Sequence, residues 1–432
     1  MKWLKWFYPG IGIKRWLAVI IGGLFLVAEG LAIAGDTEIL NFVEKQLQSF
    51  VTVYAGGAFK PVVGAIIVGI GFLIAYLGFH RLIKNILDAV LPEKGSPLGE
   101  VLFQKCQLKK GPKIVAIGGG TGLSTLLRGL KEVTANITAI VAVTDDGGSS
   151  GKLRGDLNML PPGDIRNCLV ALADTENAME ELFNYRFTSG SELKGHSLGN
   201  LLIAGLTQTT GNFATAVQEA SRVLAVRGRI LPVTLDNVVL KGEMNDGRIV
   251  TGETSIVADP ASIKRVFLEP RHCRPLEAAV EAIRAADAVI LGPGSLYTSI
   301  IPNLLVPGIT QAIKQSRAEV YYLCNMMTQP GETDGYKVSH HIKAVIDHCG
   351  MNLIDKVVVN KDEISKKLRG KYKEKGAEPV VLDTVAVGEI PVKIITGSLS
   401  SQSDYARHDP MKLVDLLCRE IQGNATAIIK KK

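Results

Sequence analysis

"KIVAIGGGTGLSTLLRGLKEV", residues 113–133, decides the fold class of this chain. Lys113–Ile117 is short, β-branched and apolar at consecutive positions, the composition of a strand buried on both faces. Gly118-Gly119-Gly120-Thr121-Gly122 ends it, and "LSTLLRGLKEV" then resumes at helical spacing. Strand, glycine turn and helix in immediate succession form the first half of a βαβ unit, and such units build parallel sheets.

The same alternation continues outward. "ITAIVAV" (137–143) runs into "TDDGGSSG", and "AVEAIRAADAVILGPGS" (279–295) reads as helix, strand and glycine loop. "ITQAIKQSRAEVYYLCN" (309–325) reads as helix, strand and polar loop. "IDKVVVN" (354–360) and "EPVVLD" (378–383) are further candidate strands, and "DPMKLVDLLCREIQG" (409–423) is a closing helix. "VVLKGEMNDGRIVTGE" (238–253) differs, because "NDG" between two alternating runs signals a β-hairpin. The expectation for residues 113–432 is a Rossmann-like, doubly wound α/β domain, mostly parallel, with a small antiparallel insertion.

Upstream, the composition changes. Mean hydropathy is +0.20 with 47% hydrophobic residues, apolar enough to prompt a search for membrane segments. "WLAVIIGGLFLVAEGLAIAG" (16–35) contains one charge, Glu29, and "PVVGAIIVGIGFLIAYLGF" (61–79) none. About 20 helical residues cross the hydrocarbon layer. Lys2, Lys5, Lys14 and Arg15 precede the first span, and Arg81 and Lys84 follow the second. Asp36, Glu38 and Glu44 lie between them against Lys45 and Lys60. The positive-inside rule predicts a hairpin over residues 1–80 with both ends in the cytoplasm. A cleaved leader ending at Ala32-Ile33-Ala34 is the competing reading; the adjacent glutamate and the basic residues after the second span favour the hairpin. Glu29, near the end of its span, is expected at the interface. "RLIKNILDAVL" (81–91) carries one apolar stripe and "PEKGSPLGE" (92–100) reads as linker, so 81–112 joins hairpin to domain.

Charge excludes one class of function. The net charge is +7, but residues 1–112 hold 12 Lys+Arg against 7 Asp+Glu, or +5, which leaves +2 for the rest. A nucleic-acid surface needs its basic residues concentrated on the folded domain. Six cysteines are scattered with no C-x-x-C, so neither a zinc site nor a disulfide framework is expected.

In a doubly wound sheet the ligand lies beyond the carboxyl ends of the strands, where these glycine loops fall. Gly119, Gly120, Thr121 and Gly122 could hold a phosphate at a helix N-terminus, or simply make a tight turn. A regular G-x-G-x-x-G is absent. "GGSSGK" (147–152) fails as a P-loop, with Asp146 and Leu153 where glycine and a hydroxyl residue are needed. Asp145 and Asp146 could bind a ribose, hold Mg²⁺ against phosphate, or cap a helix. Asp164 is a plausible N-cap in "PPGDIRN", with Arg166 as a phosphate contact or a surface arginine and Asn167 beside it. Gly292, Gly294 and Ser295 form a second strand-end loop, followed by Tyr297, Thr298 and Ser299. Asn325, Thr328, Glu332 and Asp334 in "CNMMTQPGETDGY" could read a sugar or base, or belong to a lid.

"GHSLGN" (195–200) matches the G-x-S-x-G nucleophile elbow, but an elbow needs a buried strand before its serine. "FNYRFTSGSELKG" upstream is polar and broken by glycine, so Ser197 is not read as a nucleophile. His196, Ser197 and Asn200 are instead expected as ligand contacts at a helix N-terminus.

Taken together, "IGGGTGLSTLLRGLK", "TDDGGSSG", "PPGDIRN", "GHSLGNLL", "LGPGSLYTSIIPNL" and "NMMTQPGETDGY" closely resemble the gluconeogenesis-factor (YvcK-like) branch of the 2-phospho-L-lactate transferase (CofD-like) superfamily, over roughly 112–420. The resemblance implies a UDP-sugar ligand, UDP-N-acetylglucosamine or UDP-glucose, bound through Gly119–Gly122, the paired acids Asp145 and Asp146, and Gly292–Ser295. It also implies a link to carbon source, wall-precursor supply and cell shape in a family usually cytoplasmic. The transferase branch, which moves phospholactate from a nucleotide diphosphate with Mg²⁺, is the alternative; "GPGSLYTS" departs from its loop. A homo-oligomer with unidentified regulatory partners is expected, and the hairpin marks an anchored variant.

Overall fold

The computed structural model describes residues 13–35, 60–90, 107–174, 177–190, 192–401 and 406–429, divided between two units, residues 1–101 and 102–432. The expected linker at 92–100 and the loop acids of the hairpin lie outside the described residues.

The first unit holds two antiparallel helices, Ile13–Gly35 and Lys60–Val90. Within them Lys14–Ala34 and Pro61–Asn85 are long and apolar enough to cross a membrane. Glycine recurs every seven residues on the contact face, at Gly23 and Gly30 on one helix and Gly64, Gly71 and Gly78 on the other. A seven-residue repeat holds one helix face against its partner. A Cβ on Gly23 would lie 2.6 Å from the Ala75 nitrogen, and one on Gly71 would lie 2.7 Å from the Gly23 carbonyl. The backbones therefore meet where side chains are missing, as in closely packed membrane helices. Residues 81–90 continue the second helix and form no separate element. Glu29 is buried, and neither carboxylate oxygen has a partner among the described residues.

The second unit is built on seven parallel strands in the order β10-β9-β8-β7-β1-β2-β3. They are β1 Ile114–Gly118, β2 Ile137–Val141, β3 Arg229–Pro232, β7 Ala288–Leu291, β8 Glu319–Leu323, β9 Lys356–Asn360 and β10 Lys393–Gly397. β1 pairs with β2 from Ile114 opposite Ile137, and with β7 from Ile114 opposite Ala288. Every residue of β1, β2 and β7 is buried, as a sheet covered on both faces requires. Helix Gly120–Leu130 packs against Gly163–Leu172 and the closing helix Pro410–Ile429. Strands β4 Val239–Met244, β5 Ile249–Thr251 and β6 Ile263–Glu269 form a separate antiparallel sheet in the order β5-β4-β6.

One strand reading is corrected. "EPVVLD" is no strand: Val380 N–H donates to Met326 O, and Thr328 N–H to Glu378 O, so the segment pairs with a loop and not with the sheet. The strand at this end of the sheet is β10, "KIITG".

Candidate functional site at the strand switch point

The chain winds outward from β1 through β2 to β3, and from β7 through β8 and β9 to β10 in the other direction. The reversal falls between β1 and β7, and such a crevice is where doubly wound sheets hold their ligands. Both glycine loops open there. Gly120–Gly122 and Gly292–Ser295 touch backbone to backbone: a Cβ on Gly122 would strike the Pro293 carbonyl and lie 2.9 Å from Gly294 Cα. Gly120 (φ +63°) and Gly292 (φ +84°) adopt a conformation that favours glycine. A cleft of about 230 Å³ opens beside them. Thr121, Gly294, Ser295, Ser299, Asn325 and Gln329 supply its polar lining.

The floor of the cleft is tied to the sheet. Buried Asn303 donates from Nδ2 to Gly118 O (3.0 Å) and Ser299 O (2.7 Å), joining the end of β1 to the π-helical turn Leu296–Ile300. Such turns recur at functional sites. Asn325 donates to Gly294 O (2.8 Å), and Gln329 donates to Ser295 Oγ (2.7 Å), so the loop after β8 holds the loop after β7. Thr328 also lines the cleft, whereas Tyr297, Thr298 and Glu332 turn inward and Asp334 is exposed. Tyr297 hydroxyl meets Tyr336 hydroxyl at 2.7 Å, and Thr298 donates to Glu332 at 3.2 Å. Glu332 also accepts from Tyr297 N–H (3.2 Å), so it caps the π-helical turn and is not free to read a sugar. Asp334 accepts from Gly331 N–H.

An acidic group lies behind the first loop. Asp164 accepts from Gly120 N–H, and a Cβ on Gly119 would strike its Oδ2. The carboxyl thus stands at the helix N-terminus where a phosphate would be attracted. Burial, reinforced by the charge of Asp145, pushes its pKa up to about 7, against the opposing pull of Gly120 N–H and Arg166. Glu253 is pushed up to about 9 by burial and by Asp145, Asp164, Glu332 and Asp146. Asp145 accepts from Gly147 N–H (2.9 Å), while Asp146 accepts from both Thr254 N–H (2.9 Å) and Thr254 hydroxyl (2.7 Å). Asp146 therefore caps the short helix Glu253–Ala258, the blander of its expected roles.

His196, Ser197, Asn200 and Arg166 form a network of their own. Ser197 caps helix Leu198–Thr210, accepting from Asn200 N–H (3.3 Å), and also accepts from Arg166 Nη1 (2.6 Å). Arg166 Nη2 donates to Asn167 Oδ1 (2.6 Å). Ser149 Oγ lies 3.0 Å from His196 Nδ1 and accepts from Asn200 Nδ2 at 3.0 Å. All three "GHSLGN" side chains are buried, and none lines the cleft. Among the described residues no strand leads into Ser197, so the hydrolase match fails on geometry as well as on pattern. Asn167 reaches a smaller hollow beside Thr121, Thr125 and Arg128.

Sequence reasoning missed Tyr372, Arg407 and His408, which close the cleft from the far side. His408 is buried, its Nε2 has no partner among the described residues, and burial pulls its pKa down to about 4. The sequence signal of Arg407 and His408 was the charged "ARHDP" ahead of the closing helix, which has no periodicity to mark it, and Tyr372 lay in the lysine-rich helix Lys366–Lys373. Among the described residues no group of three or more His, Cys, Asp or Glu is arranged to hold a metal.

The model of one family, 2-phospho-L-lactate transferase CofD, matches residues 114–400. The gluconeogenesis factor of Bacillus subtilis is 50% identical over 307 residues, covering 71% of this chain and 97% of its own length. That of Halalkalibacterium halodurans is 52% identical over 309 residues, 71% of this chain and 96% of its own. A Nostoc relative is 45% identical over 425 residues, 98% of this chain and 93% of its own. A crystal structure of a Bacillus halodurans protein superimposes with a TM-score of 0.70 at 52% identity, covering 71% of this chain and 99% of that one. The shorter relatives use nearly their whole length on 71% of this chain, so the additional length here is shared with the Nostoc relative but not with them.

Proposed function

The chain belongs to the CofD family and, within it, to the gluconeogenesis factors, and from that membership we propose that it is a membrane-tethered regulator whose cytoplasm-facing domain binds a UDP-sugar, UDP-N-acetylglucosamine or UDP-glucose. One observation carries the reading: two glycine loops meet at the strand switch point and leave backbone N–H groups and hydroxyls around a cleft. Glycine there lets a diphosphate approach the backbone, and the helix starting at Gly120 favours its charge. The side chains of Asn325, Gln329 and Ser295 add neutral hydrogen-bonding groups suited to a sugar or base.

Two helices of membrane-crossing length support the tether. A tether would hold the domain near enzymes that consume lipid-linked wall precursors, coupling precursor supply to cell shape. Fractionation tests this half: native protein found wholly in the soluble fraction ends the tether. A thermal-shift screen across UDP-, GDP- and dinucleotide ligands tests the other. Ligand at 100 times Kd should stabilise the domain by about 2.7 kcal/mol, and silence toward every uridine nucleotide ends the ligand reading.

The acidic group supports a second reading, a Mg²⁺-dependent transferase acting on a nucleotide diphosphate ester. Mg²⁺ is commonly held by one or two carboxylates together with substrate phosphate and water, so a three-carboxylate cage is not required. Asp145 fits that role better than Asp146, whose Oδ1 is already committed to Thr254. Bound there, Mg²⁺ would neutralise phosphate charge as a Lewis acid. Incubation with UDP-sugars, Mg²⁺ and acceptors separates the readings: released UMP or UDP supports the transferase, and binding without turnover supports the regulator.

A further inference from the structure

The switch-point cleft, at about 230 Å³, is smaller than the roughly 300–1,000 Å³ that pockets for ligands of this size occupy. A second cavity, of about 760 Å³, lies on the same edge of the sheet, beyond the carboxyl ends of β9 and β10. The two share Ala406 as a wall. We infer that the switch-point cleft takes the nucleoside diphosphate and that the second cavity takes the glycosyl group beyond it, with a preference for a sugar bearing a carboxylate. The inference rests on the nucleotide-sugar reading above.

The lining gives the chemistry. Asp362 is saturated: Ser398 hydroxyl donates to Oδ1 (2.5 Å), while Ser400 N–H (2.9 Å) and Ser400 hydroxyl (2.6 Å) donate to Oδ2. Lys412 Nζ donates to Ser400 O (3.0 Å), which fixes the same wall. Opposite stands helix Lys366–Lys373, capped by Ser365 Oγ accepting from Leu368 N–H. Lys367 and Lys371, one helical turn apart on that helix, both line the cavity, and neither has an acidic partner among the described residues. Neighbouring positions at i and i+4 let two ammonium groups converge on one anion. Ser398 and Ser400, their hydroxyl protons committed to Asp362, can still accept from sugar hydroxyls, and the lysine pair, which outnumbers the one further acid on the wall, Glu363, is left for an acid on the sugar.

The test is calorimetric titration of the full chain in detergent with UDP, UDP-glucose and UDP-glucuronate, the last two differing in one carboxylate. UDP-glucuronate should bind about tenfold tighter than UDP-glucose, as expected of two exposed charge pairs. Lys367→Ala/Lys371→Ala should abolish that margin and leave the affinity for UDP unchanged, whereas Lys366→Ala, off the cavity, should keep it. Equal affinity for the two sugars, or a margin that survives the double substitution, overturns this inference and leaves the nucleotide-sugar reading standing. Failure of UDP itself to bind overturns both.

Discussion

Glycine serves opposite ends in the two units of this chain. In the hairpin, Gly23, Gly30, Gly64 and Gly71 omit side chains so that two helical backbones close on each other. In the α/β domain, Gly119 and Gly122 omit side chains so that a carboxylate and a neighbouring loop come close while a cleft stays open. Spacing tells the two apart. Glycines seven residues apart along a helix keep to one face and mean contact. Clustered glycines between a strand and a helix mean room for a ligand at the backbone.

The comparison breaks first at Gly122. In Gly122→Ala the new methyl meets the Pro293 carbonyl with Gly294 Cα behind it, and both are backbone that cannot step aside. The expected loss is about 3 kcal/mol, in the range of overpacked interiors, together with loss of nucleotide binding. Denaturant unfolding and a thermal-shift titration measure the two; wild-type behaviour in both would remove the switch-point assignment. Gly71→Val is the counterpart. Its side chain meets the Gly23 carbonyl at 2.7 Å and the Val27 nitrogen at 2.8 Å. Separation of the helices should weaken the hairpin by about 2 kcal/mol. Spin labels on exposed Phe25 and Phe72 should move apart, with nucleotide affinity unaltered. A change in affinity would show that the units do not act independently.

The same physics explains what was legible in the sequence. β1, β2, β7, β8 and β9 are short apolar runs ending in polar or glycine loops, a pattern that a buried parallel strand can hardly avoid. β3, "RILP", is too short and ends in proline, and β10, "KIITG", offers only two adjacent apolar residues between Lys393 and Thr396 at the sheet edge. "EPVVLD" carried the composition of a strand but found its backbone partners in the loop around Met326 and Thr328. At the site, glycine loops declare themselves by composition. Arg407 and His408 do not, because tertiary closure alone brings them to the cleft. "GHSLGN" drew attention through a motif, yet its side chains support neighbouring elements from within.

Asp164 sharpens the comparison from the electrostatic side. Its folded pKa, about 7, exceeds the ordinary carboxylate value, so the folded state holds its proton more tightly than the unfolded chain. Stability from this group is therefore full below about pH 4 and is lost as the pH rises toward 7. Asp145 and Glu253 face it as acids, and Arg166 as a base. Asp164→Asn keeps an acceptor for Gly120 N–H and removes the charge. At pH 8 it should raise stability by an amount on the order of 1–2 kcal/mol, with the gain vanishing near pH 4. A gain equal at both pH values would mean that the carboxyl is not desolvated behind the loop. Added phosphate-bearing ligand should narrow the difference between pH 6 and pH 8 in the variant, because the anion no longer meets a carboxylate.

The smallest effect is expected where the motif is loudest. Ser197→Ala removes a helix cap and the partner of Arg166, two hydrogen bonds one layer behind the cleft. A lost cap costs about 1 kcal/mol, read directly from denaturant unfolding. Ligand affinity should stay within about threefold, since 1.4 kcal/mol is a factor of ten and the substituted hydroxyl does not line the cleft. Arg166 is where this argument can fail. Its Nε has no partner among the described residues, and its Nη1 would lose its acceptor in the variant. Were the freed guanidinium to swing toward the glycine loop, it would meet Asp164 and the incoming phosphate, and affinity would rise. Tighter binding in Ser197→Ala would therefore show that "GHSLGN" restrains an arginine from the site; unchanged binding with lowered stability would confine the motif to support.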